Sequence, residues 1–106
     1  MNVLIIYSHP NETSYNASIL QTVQKHLAPE HRVKIVDLYK ENFDPVLRYG
    51  YRKRMEEDSF ILRSQELIQW ADHFIFVYPI WWSSMPSLLK GWIDRVFTPG
   101  IAYSAN

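Results

Sequence analysis

A chain of 106 residues with 47% hydrophobic and 15% aromatic side chains is one small domain, apolar enough for a packed core and against disorder. Its eleven basic and eleven acidic side chains cancel, so no overall field recruits nucleic acid or an anionic membrane surface. The lack of cysteine rules out disulfides, thiolate metal sites and cysteine nucleophiles.

Residues 3–7 (VLIIY) are apolar throughout, the pattern of a central parallel strand buried on both faces. The run is far shorter than the roughly 20 residues of a membrane span. It also lacks the basic flank and small-residue cleavage site of a secretory signal, so a soluble, cytoplasmic protein is expected. Residues 9–14 (HPNETS) are turn chemistry, and a helix follows over 15–27, where Ile19, Val23 and Leu27 fall four apart beside Leu20. Thr13 or Ser14 is its natural N-cap, and Pro29 ends it. Residues 32–38 alternate in part, as a strand nearer an edge does.

Residues 42–50 contain Asp44-Pro45 and read as a surface excursion. The opposite charge runs that follow, Arg52-Lys53-Arg54 and Glu56-Glu57-Asp58, read as a solvated face, with a basic nucleotide-contact patch as the alternative. A helix is predicted over 60–70, with Phe60, Ile61, Ser64, Leu67 and Ile68 on one side. Residues 74–78 (FIFVY) form a short buried strand. A loop carrying Trp81, Trp82, Ser83 and Ser84 leads to a helix over 86–97, with Leu89, Ile93 and Phe97 beside Leu88, Trp92 and Val96. Pro86 suits its first position. Gly91 in mid-helix costs roughly 1 kcal/mol against alanine, which marks the close approach of another backbone or a ligand.

The order β-α-β-α-β-α predicts an α/β fold, a parallel sheet covered on both faces. With right-handed crossovers and strand order 2-1-3, the two crossover helices fall on opposite faces. A crevice then opens at the switch point between strands one and three, bordered by loops 9–16 and 79–84. The first loop runs into a helix N-terminus, where free N–H groups and the helix dipole suit an anion. His9, Thr13, Ser14 and Asn16 add donors, although Ser and Thr here also serve as plain caps. The Trp pair beside two hydroxyls suits a flat, partly polar ligand, or equally a subunit interface. With glycines only at 50, 91 and 100, neither a dinucleotide fingerprint nor a P-loop can be written, and no nucleophile elbow is present. His26, His31 and His73 lack metal-ligand spacing, so no metal site is expected.

The motifs carry a resemblance. His9 followed by Thr13-Ser14-Tyr15-Asn16, then Asn42-Phe43-Asp44-Pro45, then Pro79-Ile80-Trp81-Trp82 and the run from Pro86 to Phe97 (PSLLKGWIDRVF), with Ala102-Tyr103, are similar to the flavodoxin-like NAD(P)H:quinone oxidoreductases. That family includes DT-diaphorase, modulator-of-drug-activity-type reductases and ancillary subunits of potassium efflux systems. The resemblance implies a flavin, FMN or FAD, with His9, Thr13, Ser14, Tyr15 and Asn16 at its phosphate region. Pro79, Ile80, Trp81, Trp82 and Ser83 would flank the ring. It implies NAD(P)H as hydride donor, a quinone-like acceptor, no residue singled out as catalytic, and a homodimer. Trp81 stands where the family usually has glutamine. Relatives continue for roughly as many residues again, so the resemblance also implies the N-terminal half of a 2-1-3-4-5 sheet. On that basis residues 1–106 are expected to be an incomplete flavin-binding domain, with strand three an exposed edge. A chain this short is expected to self-associate to cover Trp92, Ile93 and Phe97. The competing reading is a non-catalytic or regulatory flavodoxin-like partner subunit; an acidic flavodoxin-type electron carrier fits the zero net charge poorly.

Overall fold

The computed structural model describes residues 1–102; Tyr103, part of the quoted motif, lies outside the described residues. Six elements follow one another: β1 (Asn2–Tyr7), α1 (Tyr15–Leu27), β2 (Arg32–Asp37), α2 (Ser59–Trp70), β3 (His73–Val77) and α3 (Ser87–Val96). The three strands form one parallel sheet in the order β2-β1-β3. Val3 stands beside Val33 on one side and His73 on the other, and Tyr7 lies between Asp37 and Val77. Because β1 is the middle strand, it is buried from Val3 to Tyr7, as its unbroken apolar run requires.

The pleat sends alternate β1 side chains to opposite faces. Val3, Ile5 and Tyr7 meet Ile19, Leu20, Val23 and Leu27 of α1. Leu4 and Ile6 meet Phe60, Ile61 and Ile68 of α2 and Leu89, Trp92 and Val96 of α3. The two crossover helices therefore lie on opposite faces, as the right-handed connections demand. Ser14 is the N-cap of α1, its Oγ accepting from Ala17 N at 3.1 Å. Asp58 caps α2, its carboxylate accepting from Phe60 N at 2.9 Å. That removes Asp58 from the solvated charge run, whose other members are exposed.

Three details differ from the sequence expectation. Pro86 sits one place before α3 as its N-cap, with extended ψ of 147°, and its carbonyl accepts from Lys90 N at 3.1 Å. Strand β3 ends at Val77, leaving Tyr78 half-buried against the α2–α3 side of the core. The third concerns the face expected to need a partner. Trp92 is fully buried within this chain, its Nε1–H donating to Ser64 Oγ at 3.0 Å, and its ring meets Phe97 edge-on. Ile93 and Phe97 are half-buried. Helix α2 lies close enough to cover this face of α3, so the exposed apolar surface falls instead on the β3 edge, at Phe74 and Phe76.

The excursion of residues 42–58 is tied to α3 at three points. Pro45 packs directly on Gly91, where any Cβ would collide with the Pro45 ring and carbonyl. The buried Arg95 donates to Asp44 O at 2.6 Å and pairs with Asp58 at 3.6 Å. Tyr51 Oη donates to Asp94 O at 3.0 Å. Gly91 thus serves backbone packing, the first of the two roles its position allowed.

Candidate functional site

Loops 8–14 and 78–86 leave neighbouring strands at the same end of the sheet. Ser8 N donates to Val77 O at 3.0 Å, continuing the β1–β3 pairing one residue beyond Tyr7. The two loops start side by side and touch further out, where the rings of His9 and Trp81 lie 6.1 Å apart at 58°. Both indoles face outward: Trp81 is 40% exposed and Trp82 fully so. The switch point at the carboxyl ends of β1 and β3 is therefore an open shelf with an aromatic wall on one side and a helix N-terminus on the other.

The first loop is built by a residue that sequence reasoning did not single out. Asn11 N donates to His9 Nδ1 at 3.0 Å, and Asn11 Oδ1 accepts from Thr13 N at 2.9 Å and Thr13 Oγ1 at 2.8 Å. Asn11 O accepts from Ser14 N at 3.2 Å. The signal that could have found it is the Asx turn that asparagine makes two residues ahead of a cap. An imidazole that accepts through Nδ1 carries its proton on Nε2 when neutral. Ser14 Oγ accepts from Ala17 N, which leaves its own proton free to donate. Thr13 has spent its proton on Asn11. Tyr15 N and Asn16 N begin α1 and have no intrahelical acceptor. The donors of this end are thus neutral groups and the helix dipole, a set suited to phosphate. Tyr15 is 81% exposed and Asn16 half-buried. Glu12, in the same loop, is drawn toward Lys40 at 3.9 Å, and Lys40 also reaches Asp37 at 4.0 Å.

The second loop is a two-residue hairpin. Trp81 N donates to Ser84 O at 2.9 Å and Ser84 N to Trp81 O at 3.1 Å, closing a narrow antiparallel bridge. Between them Trp82 and Ser83 hold φ of 53° and 60°. Positive φ at both central positions is the type I′ turn, which favours Asn-Gly; a tryptophan and a serine there are strained. Pro79 is half-buried, whereas Ile80 is 74% exposed and Ser83 exposed. The ten residues expected at the site fall on these two segments, His9, Thr13, Ser14, Tyr15 and Asn16 on the first and Pro79, Ile80, Trp81, Trp82 and Ser83 on the second, with His9 and Trp81 brought into contact.

Ser8 Oγ and Tyr7 Oη, at the end of β1, are buried and have no hydrogen-bond partner among the described residues. A half-open cleft of about 500 Å³ lies elsewhere, between the excursion and the ends of α2 and α3, lined in part by Arg54, Met55, Gln65, Arg95 and Thr98. Its buried charge, Arg95, is already paired with Asp58, and the cleft holds none of the ten residues above, so the open shelf remains the better candidate. Among the described residues no cluster of His, Asp and Glu could hold a metal ion, and no helix is long and apolar enough to cross a membrane.

Comparison with known proteins agrees with this fold. A family profile described as a flavodoxin-like fold matches residues 1–106. The ribosyldihydronicotinamide dehydrogenase (quinone) of Rattus norvegicus is 34% identical over 122 residues, covering 95% of this chain and 53% of that protein. Smu.1420 of Streptococcus mutans UA159 superposes with a TM-score of 0.88 at 49% identity, over 100% of this chain and 58% of its own. The general stress protein 14 of Treponema denticola, solved in complex with FMN, gives a TM-score of 0.66 at 29% identity, over 99% of this chain and 53% of its own. The chain spans about half the length of the curated relatives it matches. With the profile matched from end to end and the 2-1-3 sheet in place, this chain belongs to the family of the flavodoxin-like fold.

Proposed function

We propose that this chain is the flavin-binding part of an NAD(P)H-dependent oxidoreductase that reduces quinone-like acceptors, and that its flavin is FMN. The observation that carries the reading is the meeting of two unlike loops on adjacent strands. One offers neutral donors at a helix N-terminus; the other offers two exposed indoles. A flat ring with a phosphate tail matches that pairing. The nature of the donors supports the fit, because Ser14 Oγ, His9 Nε2 and the free N–H groups of Tyr15 and Asn16 all suit an anion. The quinone reductase among the relatives and the FMN bound to the Treponema denticola protein support the choice of acceptor and flavin.

On this reading His9, Ser14, Tyr15 and Asn16 hold the phosphate end, with Thr13 shaping the turn. Trp81 and Trp82 shield one side of the ring, while Pro79, Ile80 and Ser83 border its polar edge with backbone groups. Once bound, a flavin takes hydride from a nicotinamide and hands two electrons to the acceptor; the protein supplies position and electrostatics. We further propose a cytoplasmic homodimer, which light scattering tests.

Titration with FMN and with FAD, followed by flavin absorbance and by thermal shift, tests the reading. FMN is expected to shift both signals and to bind more tightly than FAD. Saturation with either flavin and no change in absorbance or melting temperature would defeat it. NAD(P)H oxidation, assayed with and without a quinone, then separates an enzyme from a flavin-holding partner subunit.

A further inference from the structure

We propose that residues 53–57 of the excursion are the surface through which two copies of this chain meet, about a two-fold axis at Met55 that sets Lys53 and Arg54 of one copy against Glu57 and Glu56 of the other. This contact rests on the homodimer reading of the chain. Three observations carry it. The first is the order of the charges: Lys53 and Arg54 precede Met55, and Glu56 and Glu57 follow it. Reversing the direction of the segment exchanges positive for negative at each of these positions. A two-fold axis makes that exchange by construction, because the same patch faces itself and each contact occurs twice. The second is that these groups are uncommitted. All four side chains are exposed, and none enters an ion pair among the described residues. Lys53 lies over the Tyr49 ring at 4.8 Å. No hydrogen bond among the described residues engages the backbone of residues 53–57 either. The third is the surface around them, where Tyr49 and Tyr51 are exposed and Met55 is half-buried. Aromatic, methionine and arginine side chains are the ones enriched where proteins meet.

The charge order also selects the occupant. A partner of one sign, such as an acidic peptide or a nucleic-acid backbone, would be drawn to residues 53–54 and repelled by residues 56–57. The two pairs are neighbours along the chain, too close for a screening length of about 8 Å at physiological salt to separate them. A second copy meets no such conflict. The next pair outward would be Arg52 with Asp58, but Asp58 caps α2 and faces Arg95 at 3.6 Å. The ionic contact is therefore confined to two pairs on each side of the axis. The segment is also held from both ends, by Tyr51 on Asp94 O at 3.0 Å and by Asp58 on α2, so little ordering is left for association to impose.

Charge reversal followed by light scattering tests the contact on the 106-residue chain. The native chain is expected to dimerise. The variants Lys53→Glu with Arg54→Glu, and Glu56→Lys with Glu57→Lys, each set like charges opposite one another and are expected to weaken the dimer tenfold or more. An equimolar mixture of the two variants restores every pair and is expected to associate within tenfold of the native affinity. Arg54→Glu and Glu56→Lys, alone and mixed, repeat the comparison with half the change in charge, in case a double variant melts early. A native dimer that ignores both reversals, or variants whose mixture stays apart while each is folded, would overturn this interface and leave the homodimer standing. A native chain that is monomeric at micromolar concentration would defeat the homodimer and this interface together. The flavin reading stands or falls separately, on the FMN titration.

Discussion

Trp82 and Ser83 hold positive φ without being glycine, which costs each roughly 1–2 kcal/mol. Ser83→Gly is therefore expected to stabilise the fold by about 1 kcal/mol, raising Tm by roughly 4–8 °C for a chain of this size. A melting curve that stays put or moves down would deny the strained turn. The opposite substitution logic applies at Gly91, where Pro45 leaves no room for a Cβ. Gly91→Ala should cost about 1–3 kcal/mol through overpacking, despite the better helix propensity of alanine, as denaturant unfolding would report. Residue-level legibility was uneven. The glycine in mid-helix announced a close approach, and Ser14 announced a cap. The turn type did not show, since Trp-Ser is the reverse of what a type I′ turn prefers. Asn11 stayed hidden among six turn-forming residues, because only the folded loop shows which of them the others lean on.

At the scale of elements, α3 holds the 42–58 excursion through Gly91, Asp94 and Arg95, residues that share one helical face. Arg95 is the buried member, with its guanidinium shared between Asp44 O and the carboxylate that caps α2. Arg95→Ala should cost about 1–3 kcal/mol, because it removes the charged donor to Asp44 O and frees the excursion; amide exchange at 44–48 should rise with it. Asp44 ties the same segment from its own side. The Val46 N–H, and then the Arg48 guanidinium, hold its carboxyl below the usual carboxylate range. A group depressed in the folded state stabilises above its unfolded pKa and loses that contribution as pH falls through the folded value. Opening of the excursion is therefore expected below about pH 4, seen as faster exchange of the Val46 amide, and Asp44→Asn should abolish that acid response. The elements themselves were readable: each of the six begins and ends within a residue or two of its periodic pattern. The excursion was readable only as a break in that pattern, since nothing local reveals that Arg95, fifty residues on, is its anchor.

For the whole molecule, strand order followed from alternation and handedness, whereas the apolar surface left open did not. Trp92 reads as surface when α3 is considered alone, yet α2 seals it, while Phe74 and Phe76 on β3 stay partly exposed. One arrangement described above also has a consequence in time. The middle strand joins neighbours about 30 residues away on one side and about 70 on the other. Closing the longer span costs only about 0.7 kcal/mol more in chain entropy, but it brings no reward until α2 and the excursion have settled. Most of the first hydrophobic face can thus assemble from the opening third of the chain, with Ile75 and Val77 joining later, and the second must wait. During that interval Leu4 and Ile6 lie open to solvent, which exposes the half-built sheet to misassociation.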